Sequence, residues 1–242
     1  MNQFEEKIKF LETQTHLIDK KIREWWSNYL KNNIGRYEFS LGFINADKRD
    51  SVLEIGSIPC HLTYLLSSEC NVTGVDLEPN RNKEFINSNG LHIEKCDIET
   101  EKLPFDDQSF DKIVFLEVLE HLRINPIFTL KEISRVLKPS GRLILSTPNV
   151  SVLTRYEYLK GLGYQGDPVE EFSKLETIGH MGHFRVFDFG DIKSMLNHVN
   201  LNICKTDYYG AIPQGFVSSI LKPFYGKKLK QIIFIDAEKN DS

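Results

Sequence analysis

The order of the predicted elements along this 242-residue chain indicates an α/β fold with a mostly parallel sheet and helices on both faces. Three observations support this prediction. Short apolar runs alternate with helix-like segments from about residue 51 onward. The run Val52-Leu-Glu-Ile-Gly56 is followed by a turn and a helix, and Asp76 ends the next strand. Because alternating strands and helices need right-handed crossovers, the strands should lie parallel in a doubly wound sheet.

The individual elements follow from local patterns. Apolar residues at three- and four-residue spacing predict a helix over residues 3–31, and a second helix is predicted over 36–43. Apolar runs bounded by turn residues predict strands at 51–55, 71–76, 91–95, 110–116, 142–146, 201–209 and 231–237. Helices are predicted at 60–68, 80–89, 126–137 and 188–198. Lys138-Pro-Ser-Gly141 predicts a sharp turn. Because no regular crossover helix separates the last two strands, they should form an antiparallel pair.

Composition limits the possible classes of protein. The net charge of −4 provides no general electrostatic field that would attract nucleic acid. The cysteines show no Cys-x-x-Cys spacing, which favours reduced thiols. No apolar run reaches the ~18 residues needed to span a bilayer, and the polar N-terminus shows no secretory signal. We therefore expect a cytoplasmic protein with one domain over residues 1–242. Its parts are an N-terminal helical segment (1–48), a cofactor-binding core (49–149), a lid or substrate insertion (150–187) and a C-terminal part (188–242).

The turn after the first strand indicates the kind of cofactor. Asp76 lies about 20 residues beyond this turn, where such folds hydrogen-bond a ribose. The turn contains Gly56 but lacks the full Gly-x-Gly-x-x-Gly pattern, since Ser57, Ile58, Pro59 and Cys60 fill the remaining positions. A pyrophosphate requires close approach of the backbone, so the turn favours a cofactor that has a ribose and no phosphate.

Six motifs occur in an order and spacing that is similar to a known enzyme family. They are Val52-Leu-Glu-Ile-Gly56, Val75-Asp76, Leu103-Pro-Phe-Asp-Asp-Gln-Ser-Phe-Asp111, Glu117-Val-Leu-Glu-His121, Leu137-Lys-Pro-Ser-Gly141 and Leu145-Ser-Thr-Pro-Asn149. With them the chain resembles the class I S-adenosylmethionine-dependent methyltransferases over roughly residues 50–200. The resemblance implies a Rossmann-like, seven-stranded sheet with an antiparallel last strand.

The resemblance also implies a set of cofactor-binding residues. Glu54 would organise the first turn, Gly56 would give the backbone room, and Asp76 would bind both ribose hydroxyls. Leu77 would flank the adenine, Asp97 would bind its amino group, and Leu116 would lie near the sulfonium. The full implied set is Glu54, Gly56, Ser57, Asp76, Leu77, Asp97, Ile98, Leu116 and Glu117. For Asp97, a purely local turn is an open alternative.

One feature departs from the family pattern. Ile58 lies where relatives usually have glycine, and a β-branched residue disfavours a positive φ. Pro59 also removes one backbone donor. This departure motivates an alternative in which the domain is degenerate and binds cofactor or a partner protein without catalysis.

The chemistry is predicted at the end of the fourth strand. Methyl transfer to a hydroxyl needs a base, and His121 is the candidate, with Glu120 orienting it or holding substrate. His183 is a further catalytic candidate, and Arg185 and His180 are candidate substrate-binding residues. A structural role for the corner is the alternative. The preferred interpretation includes no metal ion. In another alternative, Glu117, Glu120, His121 and His183 bind a divalent ion, as in the similar small-RNA 3′-terminal 2′-O-methyltransferases.

The preferred acceptor is a hydroxyl of a small molecule or of a glycan-precursor sugar. The segment 212–230 mixes apolar residues with four lysines and could contact a membrane surface, which would suit a quinone or another lipid-linked acceptor. A packed loop with a solvated lysine fringe is the alternative for this segment. There is no strong nucleic-acid signal, and the chain is expected to be a monomer or homodimer.

Overall fold

A computed structural model describes residues 2–151, 154–155, 169, 173 and 182–240. The seven strands form one sheet in the order β3-β2-β1-β4-β5-β7-β6. They are β1 (Ser51–Ile55), β2 (Asn71–Asp76), β3 (Ile93–Lys95), β4 (Phe110–Leu116), β5 (Leu137–Pro148), β6 (Leu201–Tyr209) and β7 (Ile232–Lys239). The predicted Rossmann-like α/β fold is confirmed.

The strand directions also follow the prediction. β1 pairs in parallel with β2 and with β4, and β2 pairs in parallel with β3. β6 and β7 are antiparallel, with Leu201 opposite Lys239 and Tyr209 opposite Ile232. The connection between them, residues 210–231, includes the helix Phe216–Tyr225 but need not cross over the sheet, because antiparallel neighbours require no crossover.

The helices are α1 (Gln3–Thr13), α2 (Arg23–Ile44), α3 (His61–Leu66), α4 (Lys83–Ser88), α5 (Pro126–Val136), α6 (Phe189–His198) and α7 (Phe216–Tyr225). Single 3₁₀ turns lie at Gln14–Leu17, Pro79–Asn82, Leu119–His121 and Gly226–Leu229. Among the described residues, no helix is both long enough and apolar enough to cross a membrane.

Two N-terminal predictions were wrong in their boundaries. The helix predicted over 3–31 ends at Thr13, and Ile18 adopts an extended backbone that places its side chain in the core. The predicted separate helix at 36–43 is the second half of the 22-residue α2. Gly35 lies inside α2 and does not interrupt it, because an internal glycine costs a helix only about 1 kcal/mol.

The predicted turn at residues 138–141 is instead a distortion within β5. The strand begins at Leu137, and Ser140 adopts a positive φ of 56°. A Cβ atom at Gly141 would lie 2.8 Å from the Lys138 carbonyl oxygen and 3.2 Å from that of Asp111. Glycine is therefore required where the strand bends, which explains the turn-like sequence.

The chain divides into two compact units. The first unit contains Met1–Val114 and Arg135–Arg142, and the second contains Phe115–Ser134 and Leu143–Ser242. Large buried side chains form the core of each unit. In the first they include Trp26, Leu53, Leu65 and Phe85, and in the second Phe115, Leu145, Leu196 and Phe234.

Candidate active site

The turn after β1 adopts its shape without placing strain on Ile58. Gly56 and Cys60 have positive φ angles of 78° and 72°, whereas Ile58 is not among the residues with positive φ. The N–H groups of Gly56 and Ser57 both donate to the carbonyl oxygen of Val75, at 2.8 and 3.1 Å. The left-handed backbone conformation therefore occurs at Cys60 and not at the β-branched Ile58.

Two buried side chains from outside the turn hold it in place. The indole Nε1 of Trp26 and the Nδ2 of Asn82 both donate to the carbonyl oxygen of Pro59, at 2.9 and 2.8 Å. Trp26 is fully buried. Its hydrogen bond to the turn, like that of Asn82, carries no local sequence signal.

Asp76 connects this turn to the end of β2. Its Oδ2 accepts the N–H of Ile58 at 3.0 Å, and its Oδ1 accepts the N–H of Glu78 at 3.0 Å. Burial raises the pKa of Asp76 above its ordinary value, although these two hydrogen bonds act in the opposite direction. The backbone N–H of Leu77 also donates to this carboxylate, so three of its about four acceptor positions are used within the protein.

The neighbouring cofactor candidates differ in their surroundings. Leu77 is 53% exposed, which leaves an apolar surface beside Asp76. Glu54 is buried and accepts the Thr63 hydroxyl at 2.6 Å, and burial raises the pKa of Glu54 to about 8. Because its pKa lies above 7, Glu54 is mostly a neutral acid at pH 7. The Ser57 hydroxyl is also buried, and it has no hydrogen-bond partner among the described residues.

Asp97 follows β3 at the same sheet edge, and its carboxylate closes a local turn. The N–H of Cys96 donates to the carbonyl oxygen of Asp76 at 3.0 Å. The Asp97 oxygens accept the N–H of Glu99 at 3.0 Å and the hydroxyl of Thr100 at 2.9 Å. Asp97 thus has the turn geometry of the alternative interpretation, and the half-buried Ile98 lies beside it in sequence.

The corner after β4 lies in the second unit and is only partly helical. Only Leu119–His121 forms a helical turn, and Glu117 has a positive φ of 56°. Two hydrogen bonds join Glu117 to Ser146. The Glu117 N–H donates to the Ser146 carbonyl oxygen at 3.0 Å, and the Ser146 hydroxyl donates to Glu117 Oε1 at 2.7 Å. Leu116, the last residue of β4, is half-buried.

Three of the predicted catalytic residues come together at this corner. Glu120, His121 and His183 each place one donor atom within 4.8 Å of the others. Glu120 is completely buried, and its Oε2 accepts the Thr147 hydroxyl at 2.9 Å. The Ser146 and Thr147 contacts belong to the Ser-Thr-Pro-Asn motif, to which the sequence assigned no individual roles.

The segment that carries His183 is fixed to the corner by its backbone. The N–H groups of Phe184 and Arg185 both donate to the carbonyl oxygen of Glu120, at 2.8 and 3.1 Å. Nδ1 of His121 lies 3.2 Å from the carbonyl oxygen of Gly182. A carbonyl oxygen only accepts, so Nδ1 must carry the proton and Nε2 keeps its lone pair.

Of the two predicted substrate-binding residues, the structure describes Arg185. The Arg185 guanidinium lies over the Phe187 ring, 4.9 Å from its centre. His180 lies outside the described residues.

Part of the chain matches a known family model. Residues 53–145 match the family model described as a methyltransferase domain. This stretch contains the β1 turn, Asp76 and the Glu120–His121 corner. Over these residues the chain is similar to a methyltransferase domain.

Curated relatives of this chain include a tRNA U34 carboxymethyltransferase from Nautilia profundicola. It is 35% identical over 134 residues, which cover 50% of this chain and 40% of the relative. A glycine/sarcosine/dimethylglycine N-methyltransferase from Actinopolyspora halophila is 30% identical over 132 residues, covering 52% of this chain and 20% of the relative. The chain thus spans less than half the length of these curated relatives. A solved SAM-dependent methyltransferase from Archaeoglobus fulgidus shares the fold, with a TM-score of 0.60 at 15% identity, covering 85% of this chain and 92% of that one.

The similarity to methyltransferases implies S-adenosylmethionine as cofactor, and residues of the first unit fit it. Asp76 places a carboxylate at the carboxyl end of β2, where such folds hydrogen-bond a ribose. Leu77 exposes apolar surface that an adenine ring can cover. Gly56, with its positive φ, presents no side chain where the backbone turns towards Asp76.

Proposed function

We propose that the chain transfers a methyl group from S-adenosylmethionine to a hydroxyl of a small molecule or of a glycan-precursor sugar. When bound, S-adenosylmethionine supplies an electrophilic methyl group on sulfur. Asp76, Leu77 and Gly56 would hold its nucleoside part. The observation that carries the hydroxyl acceptor is the tautomer of His121, whose Nδ1–H donates to the carbonyl oxygen of Gly182 and whose Nε2 is therefore the basic ring nitrogen.

Each residue of the corner has a distinct part in this proposal. His121 would remove the proton of the acceptor hydroxyl, because an imidazole with an ordinary pKa near neutrality suits a general base. The carbonyl oxygen of Gly182 fixes the orientation of the ring. Glu120 holds the 183–185 segment through its backbone, and His183 would bind the acceptor beside His121. A well-oriented base contributes about 10²- to 10⁴-fold to a rate.

The acceptor is the part of the proposal that the relatives do not decide. Their names concern a tRNA in one case and glycine and its methylated derivatives in the other. A hydroxyl is proposed here because of the base at His121 and not because of either relative.

A lipid-linked acceptor is a second candidate, supported by α7. Phe216, Ile220 and Phe224 follow at four-residue spacing and so share one face of this helix. Phe216 and Phe224 are each 81% exposed, and Ile220 is 50% exposed. Large exposed apolar patches are typical of binding surfaces. Lysines at positions 222, 227, 228 and 230 accompany this face, so anionic lipid is a suitable partner.

Calorimetric titration with S-adenosylmethionine and S-adenosylhomocysteine tests the cofactor assignment. Asp76→Ala removes the acceptors for the ribose hydroxyls, and hydrogen bonds to a charged group are worth about 1.5–3 kcal/mol each. We expect the variant to bind at least about tenfold more weakly than the wild type. The control Asp106→Ala changes an exposed aspartate and should bind like the wild type.

Two results of this titration would contradict the proposal. If the intact, folded wild type binds neither compound, the non-catalytic interpretation is favoured. If Asp76→Ala binds as tightly as the wild type, Asp76 does not hold the ribose. When binding is established, methylation assays with hydroxyl, quinone and RNA acceptors identify the substrate class.

A further inference from the structure

One face of the sheet at β1 and β2 carries a buried group of polar side chains beside the turn after β1. Glu54 is 6% exposed and Ser57 is 2% exposed. Oε2 of Glu54 accepts the Thr63 hydroxyl at 2.6 Å, whereas no donor contacts its Oε1 among the described residues. The Ser57 hydroxyl has no partner among them either. Because buried polar groups are normally hydrogen-bonded, these two atoms indicate a partner from outside the chain.

The register of β1 and β2 places Glu54, Ser57 and Asp76 on the same face of the sheet. Glu54 pairs with Gly74, and paired residues of neighbouring strands point to the same side. A Cβ atom at Gly74 would lie 2.9 Å from Ser57 Oγ, so this hydroxyl occupies the space beside Glu54 that a side chain at position 74 would take. Asp76 follows Gly74 by two residues in β2 and therefore points to this face as well.

The charges around Glu54 favour its protonated form. Among the described residues, Asp76 is the charged group that acts on Glu54, and its charge is negative. The other titratable groups that face Glu54 are Tyr37 on α2, Cys60 in the turn and Cys70 after α3, and burial raises the pKa of each, so they are uncharged at pH 7. Burial, together with the charge of Asp76, raises the pKa of Glu54 to about 8. At pH 7 this face thus holds a proton that an added positive charge can displace.

We propose that Glu54 releases its proton to the buffer when S-adenosylmethionine binds at Gly56 and Asp76. The inference rests on the proposed function, because S-adenosylmethionine is the ligand that carries the charge. Its sulfonium adds one positive charge that S-adenosylhomocysteine lacks, and charges interact strongly where water is excluded. A positive charge favours the ionised form of a nearby carboxyl group. Glu54 therefore distinguishes the methyl donor from the demethylated product by charge.

The coupling makes cofactor affinity depend on pH with a definite sign. Below the pKa of about 8 of free Glu54, binding is accompanied by loss of a proton, so the affinity for S-adenosylmethionine rises with pH. Between pH 6 and pH 7 it should rise several-fold and at most about tenfold, the limit for one proton per binding event. The amino group of the ligand, with an ordinary pKa near 8, stays protonated over this interval. The affinity for S-adenosylhomocysteine should rise less.

Calorimetric titration in two buffers measures the released proton directly. The full chain is titrated with S-adenosylmethionine and with S-adenosylhomocysteine at pH 7, in phosphate and in Tris, whose enthalpies of ionisation differ. We expect the wild type to release about 0.5–0.9 proton per S-adenosylmethionine and fewer per S-adenosylhomocysteine. Glu54→Gln should release none. The control Glu84→Gln changes an exposed glutamate and should release as many protons as the wild type.

The outcomes separate this inference from the proposed function. If the wild type binds S-adenosylmethionine without proton release, with equal release for both ligands, or with release that Glu54→Gln retains, the inference is wrong and the cofactor assignment stands. A folded wild type that does not bind S-adenosylmethionine contradicts both.

Circular dichroism shows whether Glu54→Gln folds, and Thr63 offers a second route to the same carboxyl group. Thr63→Val removes a hydrogen bond that lowers the pKa of Glu54, so this variant should release more protons than the wild type at pH 8. Thr63→Ser keeps the hydroxyl and should behave like the wild type. Equal release by Thr63→Val and the wild type at pH 8 would overturn the assignment of the proton to Glu54.

Discussion

The substitution Glu54→Gln is expected to remove a pH dependence of stability that the buried Glu54 carboxyl imposes. Burial raises the pKa of Glu54 from 4.5 to about 8, and the negative charge of Asp76 acts in the same direction. Between these values the unfolded chain loses a proton that the folded chain keeps. The free energy of unfolding therefore falls as the pH rises, by about 1.4 kcal/mol per pH unit for one such proton.

His61 imposes the opposite dependence at lower pH. It is completely buried, and burial lowers the pKa of His61 from 6.5 to about 3. The unfolded chain takes up a proton below pH 6.5 that the folded chain does not, so stability falls as the pH decreases. The two contributions oppose each other between pH 4.5 and 6.5, and above pH 6.5 the contribution of Glu54 remains.

The measurement is urea unfolding at pH 6.5 and pH 8 for the wild type, Glu54→Gln and the exposed control Glu84→Gln. Over this interval the wild type should lose about 2 kcal/mol more stability than Glu54→Gln. Glutamine keeps the shape of the neutral acid and can still accept the Thr63 hydroxyl. The two proteins should therefore be similar near pH 4.5, and Glu54→Gln should already be the more stable by about 3 kcal/mol at pH 6.5. An equal loss of stability in wild type and Glu54→Gln would refute the reasoning, and so would a wild-type effect that Glu84→Gln abolishes.

Two further predictions concern the turn and α7. A Cβ atom at Gly74 would lie 2.9 Å from Ser57 Cβ and Oγ, so Gly74→Ala should displace the turn after β1. We expect this variant to be destabilised by about 1–3 kcal/mol and to bind S-adenosylmethionine more weakly. At the control position Gly42, an added Cβ atom would have no atom within 4 Å. If Gly74→Ala and Gly42→Ala both behave like the wild type in urea unfolding and calorimetry, the prediction is wrong. Wild-type protein should co-sediment with anionic phospholipid vesicles. The double variant Phe216→Ser, Phe224→Ser should co-sediment several-fold less, because buried apolar area and charge together determine how strongly an interfacial helix binds. A wild type that remains wholly in the supernatant would count against the membrane surface.

The strands were more predictable than the helices because their boundaries are local. β1, β2, β4 and β6 begin and end where the apolar runs and flanking turn residues place them. The break after Thr13 is not local in this sense. It occurs because Ile18 enters the core in an extended backbone, and the helical spacing of apolar residues continues across the break. Tertiary packing here outweighs the periodic pattern.

The position of Asp76 in the candidate site was predictable because it follows from the sheet. Asp76 ends a strand, and the carboxyl ends of parallel strands are where such folds bind ligands. The hydrogen bond from Trp26 to Pro59 joins residues 33 apart, and that from His121 to Gly182 joins residues 61 apart. No spacing rule relates such positions. The sequence therefore named His121 as a candidate but could not determine which of its ring nitrogens carries the proton.

The unusual turn after β1 keeps the groups that a cofactor of this family requires. Ile58 offers what glycine would offer at that position, namely a backbone N–H, and this N–H donates to Asp76. Pro59 has no N–H, but its carbonyl oxygen receives two buried hydrogen bonds that hold the turn against the rest of the unit. The positive φ moves to Cys60, at a cost that those bonds can offset. Because the turn is stabilised by contacts elsewhere and Asp76 remains oriented, its departure from the family pattern supports a rebuilt cofactor site more than a lost one.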